Sequence, residues 1–458
     1  MKKHLLTAFT LFFLSSGIFY SQKVAVAGKT VSKNPNTHEG TQIRSCGTSN
    51  PGHEWDAWFN GLVEQFNQQQ AQGKLNSMPS YTVPVIMHII HSGGTVGTGD
   101  NISQAQANSQ VSVLNADYAG TGFNVSQCPA AFTSVLANTQ ITFCLAQKDP
   151  SGNILAEPGI HRVAYTSISG LAAPGSGYSM TTIDGTIKPN TIWDPTKYCN
   201  IWVCKLGGGL LGYATFPSGT GLTGLSGFGN ANTDGVVIGY NYFGNTGSVS
   251  APFNKGRTAT HEIGHWLGLR HINGDSNCGS DFCNDTPPCD QLHYGCISSA
   301  TPYHVNACGA NTSPNGEMTM NFMDYTDDAC MYMFTNDQKT RIQTAMANGT
   351  YRSQLTNQSI TICNSTPTAP IAGFTIPNGT HCALSPITFT NTTNGTPPVT
   401  YNWSVVPGTG VTINTPTSQN PGITFTNAGT YSVTLTATNA QGSNNSTQAI
   451  TIVTCSGG

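Results

Sequence analysis

Apolar and polar residues follow a different rhythm in each part of this 458-residue chain. A basic start, Met1-Lys2-Lys3-His4, precedes an apolar run over residues 5–19. The run is shorter than the ~20 residues a membrane helix needs, so it reads as a secretory signal over residues 1–21. Cleavage near Ser21 is the first choice, and Ala25-Val26-Ala27 the second. Residues 22–78 are polar, with a Gln-rich segment at 65–72 and a short helix expected over 55–67. From Tyr81 to His91 the chain turns β-branched and apolar, the first strand of a folded domain. Pro84 places the strand's start after it, or the strand near an edge, because proline donates nothing to a ladder. Ser103 caps a helix expected through Asp117. Further strands are expected over 141–147, 159–165, 200–206 and 236–242, and a last helix over 335–347. After a Pro/Ser/Thr-rich linker at 364–370, short strands are expected over 387–390, 399–405, 422–425 and 430–438. The last alternates apolar and polar residues, as a strand with one wet face does. The division is a signal (1–21), a leader (22–78), a main folded domain (79–363), and a linker with a small sandwich (364–458).

One stretch carries chemistry: His261-Glu262-Ile263-Gly264-His265-Trp266-Leu267-Gly268-Leu269-Arg270-His271. On a helix, His261 and His265 leave the same face one turn apart, within reach of one ion at ~2.0–2.1 Å each. An unbroken helix would rotate His271 a further ~240°, away from that ion. Gly268 removes the difficulty, because glycine can leave the helical region and turn the chain back. Three nitrogen ligands leave a fourth position for water, the plan of a catalytic zinc. Glu262, beside the first ligand, then stands where a general base belongs. A plain amphipathic helix with surface histidines would not need the glycine.

The long motif resembles that of the metzincin zinc endopeptidases, and Asn321-Phe322-Met323-Asp324-Tyr325 resembles their methionine turn. The wording around both is similar to the pappalysin family, over roughly residues 44–345. The resemblance implies an α+β fold. A twisted mixed sheet lies above the cleft, with an active-site helix, an irregular disulfide-rich lower half and an all-β Ig-like sandwich after it. It implies that Met323 packs beneath the histidines without binding metal. Tyr325 would stand beside the zinc and donate to the developing oxyanion, with a plain core tyrosine as the alternative. Gly212-Tyr213-Ala214-Thr215 resembles the family's cleft-edge strand, to which an extended peptide adds through free N–H and C=O groups. Asp281, Asp285 and Thr286 resemble its calcium loop, although Cys283 replaces an aliphatic residue and an ordinary Asx turn reads the same way. Arg44-Ser45-Cys46-Gly47 resembles the cysteine switch of metzincin proforms, in which Cys46 takes the fourth zinc position and Arg44 pairs with a cleft carboxylate. Tyr401-Asn402-Trp403 and the run from Ala428 to Asn439 resemble a PKD module, which implies binding to an extracellular protein or polysaccharide.

Composition narrows the setting. Only 9% of residues are charged, the net charge is −3, and no basic run suited to nucleic acid is present. No stretch after the signal reaches a membrane-spanning length of apolar residues. Fourteen cysteines without paired C-x-x-C spacing argue for disulfides in an oxidising compartment. Cys278, Cys283, Cys289, Cys296 and Cys308 crowd into one stretch of low apolar content, and spacing leaves their pairing open. Removing the leader takes Cys46 away and leaves an odd number. Cys46 is therefore either a latent zinc ligand or a disulfide partner of a catalytic-domain cysteine. The expectation is a secreted zinc endopeptidase made as a zymogen, using Zn2+, with Ca2+ as a candidate, on protein or peptide substrates. The alternative is an extracellular adhesin or matrix-binding protein with a structural zinc site. An intact Glu262 and an open fourth position speak against it, since a structural site needs neither.

Overall fold

The apolar stretch beginning at Tyr81 becomes the middle of a six-stranded sheet in the computed structural model. Described are residues 43–72, 79–219, 229–297, 304, 308–309, 313–363, 369–393, 399–439 and 441–455. The expected signal and residues 22–42 and 73–78 of the expected leader lie outside them.

β1 (Tyr81–His91) pairs with β2 (Ile141–Leu145) and β3 (Ile160–Ala164) along one side and with β4 (Cys199–Cys204) along the other. β6 (Val236–Gly239) follows β4, and β5 (Gly212–Ala214) closes the sheet as its edge. Every pair is parallel except β5 with β6. Both expectations drawn from Pro84 are therefore corrected: β1 starts before it, at Tyr81, and Pro84 lies inside a central strand. Pro84 is tolerated because only β2 faces it, the pairing with β4 beginning at Val85. A parallel strand covered on both faces needs apolar residues at nearly every position, and β1 and β4 are buried almost throughout.

One face of the sheet packs on α2 (Gln104–Tyr118) and α3 (Arg257–Trp266) through Val111, Leu114, Tyr118, Ala259, Ile263 and Trp266. The Ser103 hydroxyl accepts the Gln106 N–H at 3.1 Å and so caps α2 as expected. The other face buries Ile183, Ile187, Trp202 and Tyr213. α4 (Asn336–Asn348) starts with a reciprocal Thr335–Gln338 capping box. α5 (Arg352–Cys363), absent from the sequence reading, buries Leu355 and is bonded to β2 through Cys144–Cys363.

Upstream, α1 (His53–Ala71) is the expected leader helix, longer at both ends. Its Trp55 and Phe59 pack with Phe216 of the catalytic domain, and Arg270 is paired with Asp56. In the lower half, Cys278–Cys308 and Cys296–Cys330 are bridged, while Cys283 and Cys289 form no disulfide. The expected cross-linking of that stretch thus holds for three of its five cysteines.

The C-terminal part has its own core around Trp403, Phe425, Tyr431 and Leu435. β7 (Thr400–Val406), β9 (Gly429–Asn439) and β10 (Gly442–Val453) form one sheet, and β8 (Gly422–Phe425) lies in the second. Cys382–Cys455 closes it. Among the described residues no helix is long and apolar enough to cross a membrane.

Candidate active site

α3 is buried along its whole length, so its histidines face protein on every side. The helix ends at Trp266, and Gly268 then adopts φ 88°, the left-handed turn only glycine takes freely. Here a Cβ would also sit 2.6 Å from the Phe59 ring. The chain doubles back and brings His271 Nε2 to 3.1 Å from His265 Nε2, which lies 3.2 Å from His261 Nε2. A tetrahedral ion bound at ~2.0–2.1 Å holds its ligand atoms roughly 3.3–3.4 Å apart, so the donor set fits zinc.

Each ring is held by its other nitrogen. His261 Nδ1 donates to Phe322 O at 2.7 Å, His265 Nδ1 to Leu269 O at 2.8 Å, and His271 Nδ1 to Asp275 Oδ1 at 2.5 Å. Such bonds fix tautomer and direction and leave the three Nε2 lone pairs pointing inward. Burial, and then the neighbouring rings, push His261 well below its usual pKa and His265 down to about 3. Both stay neutral donors. Met323 is fully buried, and its sulfur lies 2.5 Å from where a Cβ on Gly264 would be, so that glycine is needed for the methionine turn to approach. The Tyr325 ring stands 5.8 Å from His261 and 5.0 Å from His271, centre to centre. Burial holds its phenol well above the usual range, a neutral O–H donor.

The fourth corner is sulfur. Cys46 Sγ and the three histidine nitrogens all lie within 4.8 Å of one another, and Cys46 is in no disulfide. Cys46 Sγ donates to Glu262 Oε2 at 3.3 Å, and the Thr48 hydroxyl donates to the same oxygen at 2.9 Å. Burial lifts Glu262 to about 7 against the lowering effect of Thr48 and Cys46. Residues 45–47 lie along β5 as an added parallel strand, Leu211 N–H donating to Ser45 O at 2.9 Å and Gly47 N–H to Gly212 O at 2.8 Å. Arg44 anchors this strand: its guanidinium pairs with Asp328 at 2.6 Å and donates to Thr326 O at 3.1 Å, all buried.

Similarity to known proteins matches this geometry. The M43 peptidase family model, described as pregnancy-associated plasma protein-A, matches residues 182–347, and a PKD domain model matches 364–454. An extracellular metalloprotease of Colletotrichum graminicola is 31% identical over 306 residues, 65% of this chain and 88% of that protein. One of Uncinocarpus reesii is 30% identical over 69% of this chain and 91% of that protein. Mature mirolysin of Tannerella forsythia, solved with a cleaved peptide, is 36% identical over 63% of this chain and all of that one, with TM-score 0.54. A promirolysin mutant from the same organism is 37% identical over 70% of this chain and all of that one, also at 0.54.

The chain belongs to the pappalysin family.

It is a zinc metallopeptidase with a metzincin-like catalytic fold and a C-terminal PKD domain. The adhesin reading gives way to this. In this pappalysin the predicted cleft strand divides. Gly212 brings β5 against the base, since a Cβ there would meet Glu262 Cγ at 2.9 Å, and Ala214 N–H donates to the Thr48 hydroxyl at 2.8 Å. Tyr213 instead sends its hydroxyl to Asp184 at 2.8 Å on the far face, and the Thr215 hydroxyl turns to Asp234. At the candidate calcium loop, Thr286 Oγ1 donates to the Asp281 carboxylate at 2.8 Å and the Cys283 N–H donates to it at 3.0 Å, an Asx-type turn. Asp285 Oδ2 accepts the Asp337 N–H at 3.0 Å. Sequence reading missed Thr48, Asp328 and Asp275. Asp275 had a signal, an acid four residues beyond the third histidine. Asp328 and Thr48 act across long sequence separations and had none.

Proposed function

We propose that this pappalysin is a secreted zinc endopeptidase kept latent by its own leader, residues 22–78, until that leader is cut away. The observation that carries the reading is the fourth corner of the histidine site. Cys46 stands there, on a strand that occupies the peptide-binding edge. Domain limits of 79–363 for the catalytic part and 364–458 for linker and PKD domain go with it.

His261, His265 and His271 hold the zinc in this reading. Bound zinc supplies a Lewis acid that polarises the scissile carbonyl and lowers the pKa of a water. Glu262 takes the proton at Oε2, the oxygen Cys46 and Thr48 now cover, and carries it to the leaving amine. In the latent form, with the leader covering it, burial raises its pKa to about 7. Tyr325, a neutral donor, supports the oxyanion. When the leader departs, Gly212 O and Leu211 N–H are released, and an extended substrate takes their hydrogen bonds. Mature mirolysin has been solved with a cleaved peptide, which supports a peptide substrate for this chain. Asp281, Asp285 and Thr286 offer hard oxygens on one turn, and Ca2+ there is proposed as a stabiliser. The PKD domain is proposed to hold extracellular protein or polysaccharide.

The test is the Cys46→Ala precursor. It should hydrolyse a short peptide while the leader is still attached, where the unmodified precursor does not. A Cys46→Ala precursor as silent as the parent, leader intact, overturns latency by Cys46.

A further inference from the structure

A second group of metal-type ligands lies behind the methionine turn. The ligand atoms of Cys289, His293 and Glu317 are all within 4.8 Å of one another. Their side chains are closed off from water, at 0%, 3% and 0% exposure. Three unlike donors, a sulfur, an imidazole nitrogen and a carboxylate oxygen, share one buried point.

The histidine is set as a metal ligand would be. Its Nδ1 lies 2.7 Å from Asp324 Oδ2, and its backbone N–H donates to Asp324 Oδ1 at 2.8 Å. A carboxylate on the outer nitrogen is the usual support of a metal-bound imidazole. The inner nitrogen, Nε2, is buried and faces Glu317 Oε2 at 2.7 Å. Glu317 is itself oriented: Oε1 accepts the Asp290 N–H at 2.7 Å, which leaves Oε2 facing both His293 and His304. His304 Nδ1 is 2.8 Å from that oxygen.

We propose that Cys289, His293 and Glu317 form a second metal site, structural in role and of the zinc class. Thiolate with imidazole suits zinc and other borderline or soft divalent ions, whereas calcium and magnesium take oxygen alone. The Cys289 thiol donates to Gln291 O at 2.7 Å, and a cation replacing that proton would draw Sγ, Nε2 and Oε2 to one centre. The site also has something to hold. Asp324 Oδ1 accepts the Tyr325 N–H at 2.7 Å as well as the His293 N–H, so the ligand's support is also a residue of the methionine turn. A metal behind the turn would stiffen the floor of the active site. The plainer rival is a protonated His293 clamped between Glu317 and Asp324 with no metal.

Metal analysis of the full chain separates these. The Cys46→Ala, Glu262→Gln protein removes the other candidate thiolate ligand and prevents self-cleavage. Loaded with Zn2+ and desalted, it should retain two equivalents per chain. Loaded with Co2+, it should show a thiolate-to-metal absorption band, and adding Cys289→Ser should abolish that band. Glu317→Gln, close in shape, should bring retained zinc to one equivalent. One equivalent in the parent, no thiolate band in the parent, or a band that survives Cys289→Ser overturns the site. The parent measurements need no substitution at the site itself, so misfolding of a variant does not shield the proposal.

Discussion

The methionine turn serves two histidine groups, and it treats them differently. Toward the active site it offers a backbone carbonyl, Phe322 O, to His261. Toward the second group it offers a carboxylate, Asp324, to His293. The consequence shows in the charges. In the first group burial and neighbouring rings depress His261 and His265, and the imidazoles stay neutral. In the second, burial also opposes the charge, but Asp324 and then Glu317 outweigh it and lift His293 to about 10. A neutral cluster of inward lone pairs is poised to take an ion and keep a corner for chemistry. A histidine between two acids is built to stay put, whether a proton or a metal fills the centre.

The comparison breaks most sharply at Glu262, which belongs to one group only. In the leader-free enzyme, Glu262→Gln should cut peptide hydrolysis by ~10²–10⁴ fold or more, the range for a lost general base, with zinc content unchanged. Metal analysis and a peptide assay on one sample decide it. Unchanged turnover would remove Glu262 from the mechanism.

A smaller effect is expected at Asp275. It accepts from His271 Nδ1 and pairs with Arg270 at 2.6 Å. Asp275→Asn should weaken zinc at the first group by ~10–100 fold, the usual cost of losing such a support. Competition with a graded chelator measures it. Cobalt bound at Cys289 should be indifferent to this substitution, and a matching loss there would mean that the two groups are not independent.

The two groups also set opposite pH limits on the metal-stripped protein. His265 has a folded pKa, about 3, below its unfolded value of about 6.5. The unfolded chain therefore binds the proton first as pH falls, and stability drops through that window. His293 has a folded pKa of about 10, above its unfolded value of about 6.5, so its contribution is complete below 6.5 and is lost as pH rises through 10. Melting temperature against pH, with chelator present, should fall on both sides. His293→Gln should flatten the alkaline side alone. A slope that stays would assign that limb to other groups.

The first group was legible because its information is local. Histidines four apart share a helix face, and one glycine reveals the reversal that recovers the third. Cys46 was legible through the resemblance of Arg44-Ser45-Cys46-Gly47 to a cysteine switch and not through parity, since Cys128, Cys199, Cys204, Cys283 and Cys289 are also outside disulfides. β1 was found by its apolar content, yet its central place was not, because Pro84 is excused only by where β4 begins to pair, a fact of tertiary structure. α5 was missed because its described buried aliphatic residues, Leu355 and Ile362, lie in a polar segment, too sparse for a helical stripe. β10 hid in the same way, its first half exposed on both faces. The second group had no spacing to read at all. Cys289, His293, Glu317 and Asp324 come from separate turns, held together by the Cys278–Cys308 and Cys296–Cys330 bridges whose pairing spacing left open.

The least disruptive change should be removal of the PKD domain. Both histidine groups lie between residues 79 and 363, and the C-terminal core shares no residue with the catalytic one. The cut must fall after Cys363, because Cys144–Cys363 fastens α5 to β2 beside the central strand. A leader-free chain ending at residue 363 should hydrolyse a short soluble peptide within about twofold of the full-length enzyme, as expected of an independently folded domain. It should also keep whatever number of zinc equivalents the full chain holds. Cleavage of large or insoluble substrates is where a loss should appear, since that is the step a binding module assists. Failure on the short peptide, with the zinc retained, would show that the PKD domain completes the active site and that the boundary drawn at 363 is wrong.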